Sequence, residues 1–225
     1  MATVGHVAKP IEPFTLTGTH VQLEPLAREH AADLALAGTI DRSSYGYTPV
    51  PDGLDASERY IDWLLADRDQ GAVVPFAQRR LDTGELVGCT RYLELRHWRG
   101  RRAPDEVEVG GTWLASTAQR TAINTEAKLL LLTHAFEIWE VWRVAICTDA
   151  LNQRSRDAIE RLGAQFEGIL RSHRLVNQPG ETRARDTAMY SIVTAEWADV
   201  RDGLAARLAR SDGSRLPADQ PAAPG

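Results

Sequence analysis

Apolar positions along the chain alternate between two-residue spacing and three-to-four-residue spacing, and each switch predicts a change of element. Phe14 to Leu16 and Val21 to Leu23, around Thr17-Gly18-Thr19, predict a short hairpin. Leu26, His30, Ala31, Leu34 and Ala37 then fall on one helical stripe that stops at Gly38. A second helix is expected from an N-cap at Asp55, with Tyr60, Ile61, Leu64 and Leu65 inward and Gly71 near its end. Val73 to Arg80 and Leu86 to Leu95, joined by Asp82-Thr83-Gly84, predict an antiparallel hairpin.

Val107 to Leu114 is the next strand, with Gly110 and Gly111 at its centre. Adjacent glycines mark a bulge or a close approach by a ligand or another backbone, the plainer alternative being tight packing against Trp113. A helix capped by Asn124 runs to Trp139, apolar on nearly every side at Leu129 to Leu132, as suits a helix held between a sheet and other elements. Trp142 to Thr148 predicts a strand. Asn152 caps a helix with Ser155, Ala158, Ile159 and Leu162 on one face, stopped by Gly163. Phe166 to Val176 and Arg185 to Val193 form a terminal hairpin, and Glu196 to Ala209 a last helix presenting Trp197, Val200, Leu204 and Leu208 to the body. Residues 1–12 read as a loose leader, 13–210 as a single domain and 211–225 as a small, proline-rich, disordered tail.

Two loops carry alternatives. The segment from Ile40 to Asp55 holds Tyr45 and Tyr47, which either line an acceptor pocket or plug the core. Arg96, Arg99, Arg101 and Arg102 surround Trp98; a solvated loop balancing Asp105, Glu106 and Glu108 is preferred to a site for an anionic partner.

Composition narrows the classes. A chain of 225 residues with 43% hydrophobic and 25% charged residues can bury one full core. A net charge of −5 argues against general nucleic-acid binding. No apolar run reaches the ~20 residues needed to span a bilayer, and the first residues lack signal-peptide order, so a cytoplasmic protein is expected. Cys89 and Cys147 fall in predicted strands, which suits reduced side chains, and no histidine pair has metal-ligand spacing; no metal is assigned.

The stretch WLASTAQRTAINT, Trp113 to Thr125, passes from a strand end through a polar loop into a helix, and so aims backbone N–H groups outward as an anion site. Together with VEVGGTWL, QRTAINTEAKLLL, TDALNQRSRDAIERLGAQFEG and RDTAMYS, it resembles the GNAT superfamily of acyl-CoA-dependent N-acyltransferases over roughly residues 14–194. Among its branches it looks most like the ribosomal-protein N-terminal acetyltransferase type. The resemblance implies an α/β fold: a mixed, mostly antiparallel central sheet of about seven strands flanked by helices, its splayed central strands holding acyl-CoA.

The family's phosphate loop reads Q/R-x-x-G-x-G/A. Here Gln119, Arg120, Thr121, Ala122, Ile123 and Asn124 stand at those positions, so both glycines are replaced. Ala122 departs most, since its Cβ excludes positive φ. By resemblance this loop with Trp113, Leu114 and Thr125 holds the cofactor, and Asn152 and Ser155 match the Asn-x-x-Ser/Ala that meets the pantetheine and nearby phosphates. Helix capping and packing would use the same two residues.

The implied reaction is attack of a primary amine, a protein N-terminal α-amine or a small molecule, on the thioester of acetyl-CoA or another acyl-CoA in a ternary complex. An α-amino group with pKa ~8 is mostly protonated at neutral pH, so a base or water chain is required. Glu108 is the first candidate and Glu94 the second; either can instead be a solvated strand residue or an arginine partner, and for Glu108 the two readings are equal. A bulge at Gly110 to Trp113 would offer an N–H to the developing negative charge. The tyrosine that many relatives use to protonate the leaving thiolate is replaced by Ile159, with Tyr190, Tyr45, Tyr47 and His173 as conceivable substitutes. A different class of reading is a catalytically weak acyl-CoA sensor or protein-interaction module. Exposed edges permit a homodimer.

Overall fold

A computed structural model describes residues 10–178 and 181–213, with the backbone alone for 177, 178, 181, 212 and 213. Most of the predicted leader, the tail beyond Gly213 and the Pro179-Gly180 turn lie outside the described residues.

Eight strands form one sheet: β1 (Leu16–Thr17), β2 (Val21–Pro25), β3 (Val73–Arg80), β4 (Leu86–Arg96), β5 (Glu106–Leu114), β6 (Arg143–Asp149), β7 (Gln165–Gln178) and β8 (Glu181–Val193), in the order β1-β2-β3-β4-β5-β6-β8-β7. The count is close to the about seven strands that the resemblance implies, and it includes the two-residue edge strand β1 in the hairpin that the apolar pattern predicts. Every pairing is antiparallel except that of β5 with β6, and this one lasts only from Glu106 opposite Arg143 to Glu108 opposite Ala145. Beyond Glu108 the two strands part.

Helices α1 (Ala31–Thr39) and α2 (Leu54–Asp69) cover one face with Leu34, Ile61 and Leu64 against Cys89 and Trp113. On the other, α3 (Ala122–Thr133), α4 (Gln153–Leu162) and α5 (Trp197–Gly213) bury Leu131, Leu132, Ile159 and Leu204 against Val107, Val109 and Tyr92. A single π-helical turn, His134–Ile138, continues α3. Alternation along β5 therefore sends Val107 and Val109 to the α3 face and Glu108 to the opposite one.

Three boundaries differ from expectation. Gly53, at φ 78°, precedes α2, so Asp55 lies in the first turn, where its charge still suits the helix dipole. Thr121, not Asn124, caps α3: its Oγ1 accepts from the Ile123 N–H at 3.3 Å and donates to the Ala118 carbonyl at 2.7 Å. Ser211–Gly213, placed in the tail by composition, continue α5, with Ser211 Oγ donating to the Leu208 carbonyl.

The paired glycines do mark a bulge. Cys89 pairs with Trp113 and Arg91 with Gly110, so Gly111 and Thr112 together oppose Thr90. Gly111 has φ 57°, and a Cβ there would overlap the Arg91 guanidinium. The neighbour that needs glycine is thus Arg91, not Trp113.

The arginine loop is structural. Arg99 and Arg101 both pair with the fully buried Asp105, and Arg99 lies 4.5 Å over the Trp142 ring. Glu106 pairs with Arg143. Glu108 does not join this network; its partner comes from β7.

Candidate active site

Where β5 and β6 separate, a groove of about 960 Å³ opens between the bulge, the N-terminus of α3 and one side of α4. That is the upper end of the ~300–1,000 Å³ usual for small-molecule sites. Thr112, Trp113 and Leu114 line its strand wall; Gln119 to Ala122 with Asn124 and Thr125 form its loop end; Asn152 and Ser155 line its α4 side.

The first amides of a helix have no intrahelical acceptor. Ile123 N–H is taken by the Thr121 cap, and those of Ala122 and Asn124 belong to this unpaired first turn. Capping by Thr121 leaves the Asn124 side chain on the groove wall. Ala122 is the first helical residue, so its Cβ sits on ordinary helical backbone and needs no positive φ. That conformation falls on Arg120 instead, at φ 59°. Ile123, expected among the cofactor-binding residues, is absent from the groove wall and 3% exposed in the core; helical rotation turns it inward.

Charge completes this end. Arg120, Arg154, Arg161 and Arg207 line the groove, opposed there by Asp157. Arg154 donates to Gln119 Oε1 at 2.6 Å, and Gln119 Nε2 donates to the Leu114 carbonyl and to Ser44. The loop is thereby tied to α4 and to the tyrosine loop. Asn152 Oδ1 accepts from the Ser155 N–H at 3.0 Å, so helix capping holds these two residues at the wall. Arg120 belongs to the phosphate loop expected from the sequence; Arg154, Arg161 and Arg207 are not singled out there, because they come from two other elements, α4 and α5.

The tyrosines divide. Tyr45 is buried, lines the groove, donates to the Leu114 carbonyl at 3.1 Å and stands edge-on to Trp113. Tyr47 is 44% exposed and is not part of the groove wall. Among the conceivable acids, Tyr190 is fully buried, donating to Glu160 and accepting from Arg156, and Ile159 packs in the core.

Glu108 stands at the last β5–β6 rung, 4% exposed, on the face away from α3. Arg174 grips both its oxygens, at 3.1 and 2.6 Å, and the Cys147 thiol donates to Oε1 at 3.1 Å. Burial and the adjacent carboxylate push that thiol up to about 12. Glu94, half-exposed and at φ 52°, lies 3.7 Å from the same Arg174. Neither carboxylate lines the groove; they flank the far side of the splay.

The Acetyltransferase (GNAT) domain model matches residues 20–165, and the chain belongs to this family of acyl-CoA-dependent transferases. Several of the proteins it is similar to carry the name of a ribosomal or ribosomal-protein acetyltransferase. YdaF of Bacillus subtilis (strain 168), provisionally named a ribosomal N-acetyltransferase, is 38% identical over 87 residues, 39% of this chain. That match spans 45% of YdaF, under half its length. A structure named provisionally as an acetyltransferase, from T. thermophilus, is 31% identical, covers 88% of this chain and 98% of its own, and superposes with a TM-score of 0.73. Mycobacterium smegmatis RimJ in complex with CoA-disulfide shares the fold at 22% identity, covering 88% and 97% of the two chains, with a TM-score of 0.72. No described helix is long and apolar enough to cross a membrane, and no cluster among the described residues could hold a metal ion.

Proposed function

We propose that this chain acetylates a primary amine, by preference the N-terminal α-amine of a protein, using acetyl-CoA in the cytoplasm. The observation that carries the reading is the convergence of the α3 N-terminus and four arginines on one groove that ends at the splayed strands. Unpaired amides, a helix dipole and guanidinium groups suit a pyrophosphate and a further phosphate. Helical backbone at Ala122 removes the objection to its Cβ. The protein-amine preference rests on the name of YdaF, provisionally named a ribosomal N-acetyltransferase.

In this reading the loop amides with Arg120, Arg154 and Arg161 hold the phosphates, and Asn152 and Ser155 border the pantetheine. Bound acetyl-CoA supplies the activated acyl thioester. The bulged backbone at Gly111 to Trp113 presents polar groups beside the groove, and Tyr45 fixes the Leu114 carbonyl. Glu94 and Glu108 draw the acceptor's ammonium to the other side of the splay. Arg174 grips both oxygens of Glu108, so Glu108 meets the acceptor only as the incoming ammonium displaces Arg174. That grip is also the observation favouring the second reading, an acyl-CoA binder with slow turnover.

Titration calorimetry with acetyl-CoA, succinyl-CoA and free CoA tests the reading, followed by a screen of peptide and small amines. Micromolar affinity, about −8 kcal/mol, is expected. Arg154→Ala should weaken it about tenfold, a loss of ~1.4 kcal/mol. No binding to any thioester would overturn the assignment, and binding without turnover of any amine would select the sensor.

A further inference from the structure

The sequence contains 26 lysines and arginines, of which only Lys9 and Lys128 are lysines. Lys128 is also buried. It lies in α3 between Ala127 and Leu129, 6% exposed, and makes no ion pair with any described residue. Its Nζ donates to Thr112 Oγ1 at 2.6 Å, and that hydroxyl shares a hydrogen bond of 2.8 Å with Thr90. Thr112 is the bulge residue whose other surroundings are the groove wall. An ammonium and a hydroxyl therefore form a two-member path from the protein interior to the point where the strands part.

We infer that Lys128 supplies a proton to the groove through the Thr112 hydroxyl, at the stage when the thiolate leaves. The inference rests on the acyltransferase reading and fills the gap left by Ile159, which is turned into the core. The proton balance is complete. An acceptor arriving as an ammonium loses two protons on the Glu108 side, one before attack and one from the tetrahedral intermediate; the departing sulfur gains one from Thr112 Oγ1, which takes one from Lys128 Nζ, and solvent restores the lysine ammonium after release, leaving a net one proton released.

The surroundings make that proton mobile. The sheet turns Gln78, Thr90, Tyr92 and Thr112 to this face, all uncharged. Tyr92 donates to the Leu131 carbonyl and burial raises it well above its ordinary value. From α3 itself, Glu126 spends its carboxylate on the N–H groups of Thr19, His20 and Val21. Arg207 of α5 and Arg120 stand at the groove. Desolvation is left as the governing influence, and it lowers Lys128 to about 7. A thiol near ~8.5 would then receive the proton downhill. Lys128 acts only through Thr112, so its place is that of a positioning residue for the hydroxyl's proton.

Two lysines make a direct test possible. In full-length protein carrying 13Cε-lysine, Lys128 should titrate with a midpoint near 7 in the absence of any ligand, well below the ordinary lysine value of ~10.4. With acetyl-CoA and the amine selected above, kcat should fall above pH 7. Lys128→Met should lower kcat about 100-fold and erase that alkaline limb, while the affinity for free CoA stays within twofold. Lys128→Arg keeps a cation but does not release a proton below pH 12, so it should be as slow as Lys128→Met; Thr112→Val should be slow with Lys128 still present. A midpoint above 9, or Lys128→Met with wild-type kcat and pH profile, overturns the inference while leaving CoA binding intact. Failure of the wild type to bind CoA would instead overturn the acyltransferase reading and this inference with it.

Discussion

The two faces of the splay hold buried charges of nearly equal exposure and treat them oppositely. Glu108, 4% exposed, is gripped at both oxygens by Arg174 and also accepts from Cys147. Lys128, 6% exposed, has one hydroxyl. A bidentate guanidinium occupies both oxygens of the buried carboxylate, and the pair holds β7 to the centre of the sheet. A buried ammonium with a neutral partner is held only weakly in either form. Burial alone thus does not decide whether a group is structural or poised for proton transfer; the partner does.

The largest expected effect comes from breaking the stronger pair. Arg174→Met leaves Glu108 buried without its cation, and should cost about 3–5 kcal/mol in urea unfolding. Adding Glu108→Gln should recover much of that loss, because no uncompensated charge then remains. If Arg174→Met were as stable as the wild type, the pair would be a surface contact and the contrast with Lys128 would disappear.

The pH dependence of stability separates the two sites next. Lys128 has a folded value of about 7 against an ordinary 10.5. Between those values the unfolded chain binds more protons than the folded one, so stability rises with pH. Over pH 7 to 9 the rise attributable to this residue is about 2 kcal/mol, and it should vanish in Lys128→Met. Denaturant midpoints at several pH values check this. A wild type with a flat profile, matching the variant, would mean Lys128 is solvated and ordinary.

Much of this is legible in the sequence, but unevenly. The bulge at Gly110-Gly111 is readable because paired glycines in a strand have few other uses, and the Asn152 cap because its helix begins at once. The α3 cap moves from the expected Asn124 to Thr121 because both residues cap well, and only the Ala118 carbonyl, which orients Thr121, decides between them. Ile123 belongs to a contiguous cofactor motif in sequence, whereas a helix turns one residue in every few toward the core. The Glu108–Arg174 pair joins residues 66 apart and requires the β7–β8 hairpin to fold back. Lys128 does leave a signal, a lysine on an apolar helix in a chain whose other basic residues, Lys9 apart, are arginines.

The smallest effect sharpens the comparison most. If Lys128 is poised because a neutral hydroxyl is its single partner, removing that hydroxyl must move its titration in a definite direction. A hydrogen bond from Nζ to Thr112 Oγ1 favours the charged lysine, so Thr112→Val removes a stabilising influence on the ammonium and leaves desolvation unopposed. The midpoint should fall below 7 by about one unit, equivalent to ~1.4 kcal/mol. The Cε resonance of Lys128 reads the shift without any ligand or turnover. An unchanged midpoint would show that another acceptor holds Nζ in solution, and a rise would show that burial is relieved when Thr112 is replaced. Either result would remove the path from Lys128 to the groove, leaving the Glu108–Arg174 pair as the chief arrangement of buried charge at the splay.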